Sequence, residues 1–291
     1  MMDNRLIAIL WFVLSLAISV LNDSITKVLN NSVSSLTVVF WRFVFSFILL
    51  IPIVFKFGLS SIRTPHAYIH ILRGFILSAA MSLWCYGMKF VPIATVTLMS
   101  FTIPMFTILM AGMFLRERIS CNTVLATIIG FTGSILTLSP EGITFPVTSI
   151  IFIVASILFA TLDILNKMLL NKNEGVLPMI FYSNLFSTAF IIFVPNAVND
   201  AIQVNIHQLL LLFVLGIGAN LILFCIIKAF SKAKASFLAP VKYLELLISA
   251  FIGILFFNEM ISTNILVGGT LIVMSSIIVN HKHQTKIKKG A

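Results

Sequence analysis

Apolar runs of about 20 residues follow one another along this chain, separated only by short polar junctions. A helix of about 20 residues, rising about 1.5 Å per residue, crosses the roughly 30 Å hydrocarbon core of a bilayer. Ten such runs are placed near residues 5–22, 36–57, 67–89, 92–115, 121–139, 147–169, 176–195, 207–230, 236–257 and 264–280. The junctions carry Asn30-Asn31, Pro65, Pro92, Arg116-Glu117-Arg118, Pro140-Glu141-Gly142 and Asn173-Glu174-Gly175. None is long enough to hold a separate soluble domain. The expected fold is an all-α integral membrane protein of ten transmembrane helices.

Composition agrees. The chain is 59% hydrophobic and 10% charged, with a mean hydropathy of +1.11 and 27 Phe. Soluble domains run about 45–50% apolar and about 25% charged. A water-soluble fold could not hide so much apolar surface. A net charge of +10 would suggest nucleic acid in a soluble protein. Here the basic residues sit in loops and the tail, so the expected partner is the lipid bilayer and not nucleic acid. Cys85, Cys121 and Cys225 lie in or beside apolar runs without metal-binding spacing, so no metal and no cofactor are expected. Arg5 and the small-x-small string Ala17-Ile18-Ser19 resemble a cleaved signal. More spans follow at once, and the polar end of this run recurs in the second half, so an uncleaved span is expected.

The charges set an orientation. With the N-terminal end inside, 15 of the 19 Lys and Arg fall on the cytoplasmic side, among them Arg63, Arg73, Arg116, Lys167, Lys232 and Lys289. Lys27 and Lys89 fall outside, and Arg42 and Lys242 fall within spans. This positive-inside bias puts both ends of the chain in the cytoplasm, which requires an even number of spans.

The halves also resemble each other. Asp23 and Lys27 close the first run, and Asp163 and Lys167 close the sixth, 140 residues on. Arg116-Glu117-Arg118-Ile119-Ser120 is matched by Asn258-Glu259-Met260-Ile261-Ser262, 142 residues on. The expected units are residues 1–140, residues 141–280 and a basic tail at 281–291. Five spans per half is an odd number, so the repeats must be inverted in the membrane. Inverted repeats with a site at their interface are a recurring plan of secondary transporters working by alternating access.

Ser100-Phe101-Thr102-Ile103-Pro104 followed by an apolar run to Glu117, and Glu245 followed 14 residues later by Glu259, resemble the drug/metabolite transporter superfamily, in the group with two EamA domains. The resemblance covers the whole chain and implies ten helices around a central cavity. Where that family has Glu-Pro, this chain has Glu245-Leu246, a departure expected to straighten helix nine. Leu72-Arg73-Gly74, Ser82-Leu83-Trp84-Cys85-Tyr86-Gly87, Leu162-Asp163-Ile164-Leu165-Asn166-Lys167 and Lys242-Tyr243-Leu244-Glu245-Leu246 together resemble the S-adenosylmethionine carriers of obligate intracellular bacteria. That likeness implies uptake of S-adenosylmethionine across the inner membrane, with exchange for S-adenosylhomocysteine as one coupling. A carrier of the same fold that exports amino acids or other metabolites is the alternative.

Charges inside spans cost roughly 2.5–3.5 kcal/mol each, so they face a cavity or a partner. Glu245, the tenth residue of its span, falls near mid-membrane and suits a cationic group or a proton. Lys242 at i,i+3 either neutralises it or shares the site. Arg42 can grip a substrate carboxylate in a bidentate fork, or tie structurally to Asp23 or Glu245. The pairs Asp23/Lys27 and Asp163/Lys167 each occupy one helix face at i,i+4, and Asn166 extends the second. Trp84, Tyr86 and Tyr243 are candidate walls for a flat organic ligand, ahead of Trp41 and Tyr182. Tyr243 points about 200° around the helix from Glu245, so the two need not share a cavity. Asn220, beside Gly216-Ile217-Gly218, is a further cavity candidate in a helix built for close packing. Glu117 and Glu259 sit at span ends, outside the site. His281 and His283 belong to the basic tail.

No HExxH, clustered metal set or Ser/His/Asp arrangement supports an enzyme, and no pore-lining loop supports a channel. A proton route through Glu245 and counter-exchange both remain open as coupling, and the residues assign no direction or oligomeric state.

Overall fold

The structure is a computed structural model, and it describes residues 4–90, 93–138, 150–194, 204–257, 267–275 and 277–278. Among the described residues the chain is helical, with no strand. The elements are α1 (Asn4–Leu29), α2 (Ser35–Phe57), α3 (Ala67–Gly87), α4 (Ile93–Ser100), α5 (Ile103–Phe114), α6 (Cys121–Leu138), α7 (Ile150–Asn171), α8 (Val176–Ile192), α9 (Ile206–Lys232), α10 (Ala235–Leu238) and α11 (Leu244–Phe257), then α12 at 267–275. Five of them, α1, α2, α3, α7 and α9, are long and apolar enough to cross a membrane. The junctions Pro92, Pro140-Glu141-Gly142 and Asn258–Ser262, and the tail 281–291, lie outside the described residues.

Local chemistry places the helix ends. Ser34 caps α2 by accepting from the Thr37 N–H at 3.2 Å. Asn205 and Gln208 form a reciprocal capping box at the start of α9. Gly58 at φ +81°, Arg116 at φ 52° and Asn173 at φ 59° turn the chain after α2, α5 and α7.

The surface differs from that of a protein in water. Phe55, Met113 and Phe193 are 75%, 73% and 84% exposed, while Arg42, His70, Arg73, Asn166, Asn184 and Glu245 are buried. Aqueous folds bury apolar groups and leave such polar groups outside. An apolar exterior, around an apolar core that also encloses charged and polar side chains, suits lipid as the solvent.

Two expected spans are broken. The expected span 92–115 holds α4 and α5, joined by tight turns in which Phe101 N–H donates to Leu98 O and Thr102 N–H to Met99 O. Pro104, in the first turn of α5, has no N–H to carry the α-helical ladder back across the break. Residues 236–257 form α10, a 3₁₀ turn over Ala239–Tyr243, and α11. The straightening expected from Glu245-Leu246 does not occur, because the distortion comes upstream, at Pro240. Helix α1 runs on to Leu29, so Asp23 and Lys27 lie within it.

The halves make matching contacts. Gly74 in α3 lies so close to α8 that a Cβ there would meet Phe186 and Ser187, and Gly216 in α9 meets Phe45 and Ser46 of α2 in the same way. Ser187 Oγ donates to Gly74 O, and Ser46 Oγ donates to Gly216 O, both at 3.0 Å. Each contact thus recurs 141–142 residues later with its partners swapped between halves. Small residues permit such backbone approach, and a hydroxyl–carbonyl bond fastens it. Lys27 Nζ likewise donates to Met88 O at the end of α3, and Lys167 Nζ to Phe230 O and Ala233 O at the end of α9.

Candidate functional site

A cavity of about 200 Å³ lies between α1, α2, α3, α5, α7, α8, α9 and the α10–α11 segment. Helix α1 sends Ser15, Ser19, Asn22 and Asp23 to it, a spacing that marks one helical face. From the opposite half come Asp163 and Asn166 of α7 and Asn184 of α8. Arg42 enters from α2, Trp84 from α3, and Lys242 and Glu245 from either side of the junction between the 3₁₀ turn and α11.

The charges are arranged unequally. Lys242 Nζ donates to Glu245 Oε2 at 3.0 Å, so these two neutralise each other. Asp163 accepts a hydrogen bond from Thr107 at 3.2 Å. Arg42 is 8% exposed, and its Nε has no hydrogen-bond partner among the described residues. The structural tie from Arg42 to Asp23 or Glu245 is not made within 4.0 Å among the described residues. Three carboxylates and two cationic side chains therefore line one cavity, with a single ion pair among them.

Seven of the ten predicted site residues line this cavity: Asp23, Arg42, Trp84, Asp163, Asn166, Lys242 and Glu245. The other three do not. Tyr243 is fully buried against Gly130 and the Phe101 ring, with its hydroxyl 3.4 Å from Phe101 O. Tyr86 is 48% exposed and stands edge-on to Phe90 on the outside of the bundle. Asn220 lies one layer back, where it accepts from the cavity residue Asn184 and donates to Ser46 O, both at 2.8 Å. Sequence reasoning missed Ser15, Ser19, Asn22, Ser100 and Asn184. The polar stripe of α1 was the signal that could have found the first three.

Trp84 reaches the cavity with its ring held edge-on by Phe152 and Phe159. Trp41 stacks on Phe45, and Tyr182 packs against His70 and Phe186, both away from the cavity.

A second polar cluster adjoins the first. Arg73, counted above with the loop cations, is buried inside α3. Its Nη2 donates to Asn166 Oδ1 at 2.5 Å and its Nη1 to Met179 O at 3.2 Å, with His70 Nδ1 at 3.1 Å. Glu174, between α7 and α8, accepts from Thr64 at 3.0 Å, pairs with His66 at 2.9 Å and approaches His70 at 3.7 Å. Lys167, also counted as a loop cation, caps α9 from within α7. Glu117 accepts from the Ala235 and Ser236 N–H groups and so caps α10.

Among the described residues no group of three or more His, Cys, Asp and Glu is placed to hold a metal.

Comparison with known proteins bears on this cavity. The model of the EamA-like transporter family matches residues 6–139 and again 147–281. The S-adenosylmethionine uptake transporter of Rickettsia bellii is 38% identical over 97% of this chain and 96% of its own. That of Rickettsia conorii is 38% identical over 95% and 96%. One solved crystal structure superposes with a TM-score of 0.73 over 94% of this chain and 95% of its own at 16% identity, which shows a shared fold. Two matches that together span nearly the whole chain establish that it belongs to the EamA-like transporter family of multi-pass membrane proteins.

Proposed function

We propose that this protein is a secondary transporter that takes up S-adenosylmethionine across a bacterial inner membrane by alternating access. Identity of 38% over 97% of the chain to a transporter named for that substrate carries the reading. The cavity supports it chemically. S-adenosylmethionine presents a sulfonium and an ammonium, which three carboxylates suit, a carboxylate, which a guanidinium suits, and a purine, which stacks on an indole. At about 200 Å³ the cavity falls below the usual 300–1,000 Å³ of ligand pockets, so loading requires the lining helices to part.

The proposed architecture is ten spans in two inverted repeats, residues 1–140 and 141–280, followed by the tail 281–291, with both ends cytoplasmic. The swapped Gly–Ser contacts and the paired lysine caps support a two-fold relation between the halves. The repeats then alternate in closing the cavity, and S-adenosylhomocysteine leaving as S-adenosylmethionine enters supplies the exchange.

Labelled S-adenosylmethionine offered to bacterial cells making the protein tests this. Saturable entry, competed by S-adenosylhomocysteine and accelerated by preloading with it, is expected. Entry no faster than in cells with an empty vector overturns the substrate.

A further inference from the structure

The two cationic side chains of the cavity differ in state. Lys242 holds Glu245 at 3.0 Å. Arg42, buried in the same cavity, has an Nε without a hydrogen-bond partner and forms no ion pair within 4.0 Å among the described residues. A guanidinium with an unpartnered buried nitrogen and no counter-ion is costly, because the water lost on burial is not fully replaced. Asp23 of α1 lines the same cavity, yet the two do not close into a pair within 4.0 Å among the described residues. The cavity thus offers an anion receptor and a nearby cation receptor, held apart.

A ligand with both charges on one carbon atom would bridge that gap. We infer that Arg42 receives the α-carboxylate and Asp23 the α-ammonium of the cargo, so that the cavity selects an amino-acid head at its α1–α2 end. Asp163, which accepts from Thr107 at 3.2 Å, is then left for a second cationic centre further along the cargo. Glu245 is spent on Lys242 and is not the first cation receptor, a reversal of the order suggested by its mid-span position. This inference rests on the proposed transport function for its cargo, but its chemistry extends to any small amino-acid derivative.

Binding to purified protein in detergent separates the two. Four ligands are compared by competition or thermal shift: S-adenosylmethionine, its decarboxylated form, methionine, and methionine's decarboxylated amine. Wild-type protein is expected to prefer the carboxylated member of the adenosyl pair at least tenfold. Arg42→Met is expected to reduce that preference to less than threefold while its ligand-free melting temperature stays at or above wild type. Arg42→Lys, which keeps charge but loses the fork, is expected to fall between, and it carries the test if Arg42→Met does not fold. A preference of the same size in wild type and Arg42→Lys or Arg42→Met overturns the inference and leaves the substrate reading intact. So does equal binding of the pair by wild type. Failure of both adenosyl ligands to bind, with Arg42-dependent preference for methionine over its amine, overturns the substrate and upholds the inference. Failure of all four to bind overturns both.

Discussion

Two buried arginines on neighbouring helices meet opposite conditions. Arg73 is wired into the bundle, with Asn166, Met179 O and His70 around its terminal nitrogens and only Nε left over. Arg42 is also buried, though less completely, and makes none of these contacts. Satisfied charge in a low-dielectric interior holds helices in place, whereas unsatisfied charge is free energy held in reserve for a ligand. The bonds from Arg73 join residues of the first half to residues of the second, so it acts as a tether. Arg42 opens onto the cavity.

The comparison is open to attack at several points. Arg73→Ala strands Asn166 Oδ1 and Met179 O, and is expected to cost about 3 kcal/mol of stability, read by denaturant unfolding in mixed micelles. A loss below about 1 kcal/mol would show that the tether is not holding the halves. Arg73→Ala and Glu174→Gln together should lose less than the sum of the single changes, by about 1 kcal/mol, because His70 links them. Strict additivity would cut that link. Lys242→Met alone leaves Glu245 unpaired, and the double change with Glu245→Gln should recover about 1 kcal/mol of what it loses. Arg42→Met sits at the small end for stability and is expected to change it by less than about 1 kcal/mol, upward, while labelled uptake falls at least tenfold. A large loss of stability in Arg42→Met would place it beside Arg73 as a tether and erase the contrast.

The residues that were legible in advance were those whose type is expensive in lipid. Asp23, Asp163, Arg42 and Glu245 stood out because a charge in a span needs a cavity or a partner, and all four line the cavity. Aromatic residues carry no such signal. In a protein in water the polar face of a helix marks the outside, but here core and lipid are both apolar. Tyr86 against lipid and Tyr243 against Gly130 therefore look alike in the sequence. Arg73 was misplaced for another reason. It lies seven residues into its expected span, the same depth as Arg42, yet was counted with the loops because nothing nearby in sequence shows its burial: its partners in the other half are 93 and 106 positions away. The break at Pro240 was open to prediction from proline alone, since its missing N–H interrupts the helix whether or not a proline follows Glu245.

The swapped Gly–Ser contacts have a thermodynamic consequence. If the halves are inverted repeats as proposed, exchanging their roles gives a second conformation that keeps these paired contacts and so has nearly equal free energy. A bias of about 1.4 kcal/mol is then enough to populate one tenfold over the other. The residues that supply such a bias are those without a counterpart. Gly74 answers to Gly216, but the neighbouring Arg73 answers to Leu215, so the tether at that end of the bundle exists once. Under the proposed architecture the resting ratio of the two states is then set by a few unmatched side chains, and a single substitution among them would invert it while leaving the architecture unchanged.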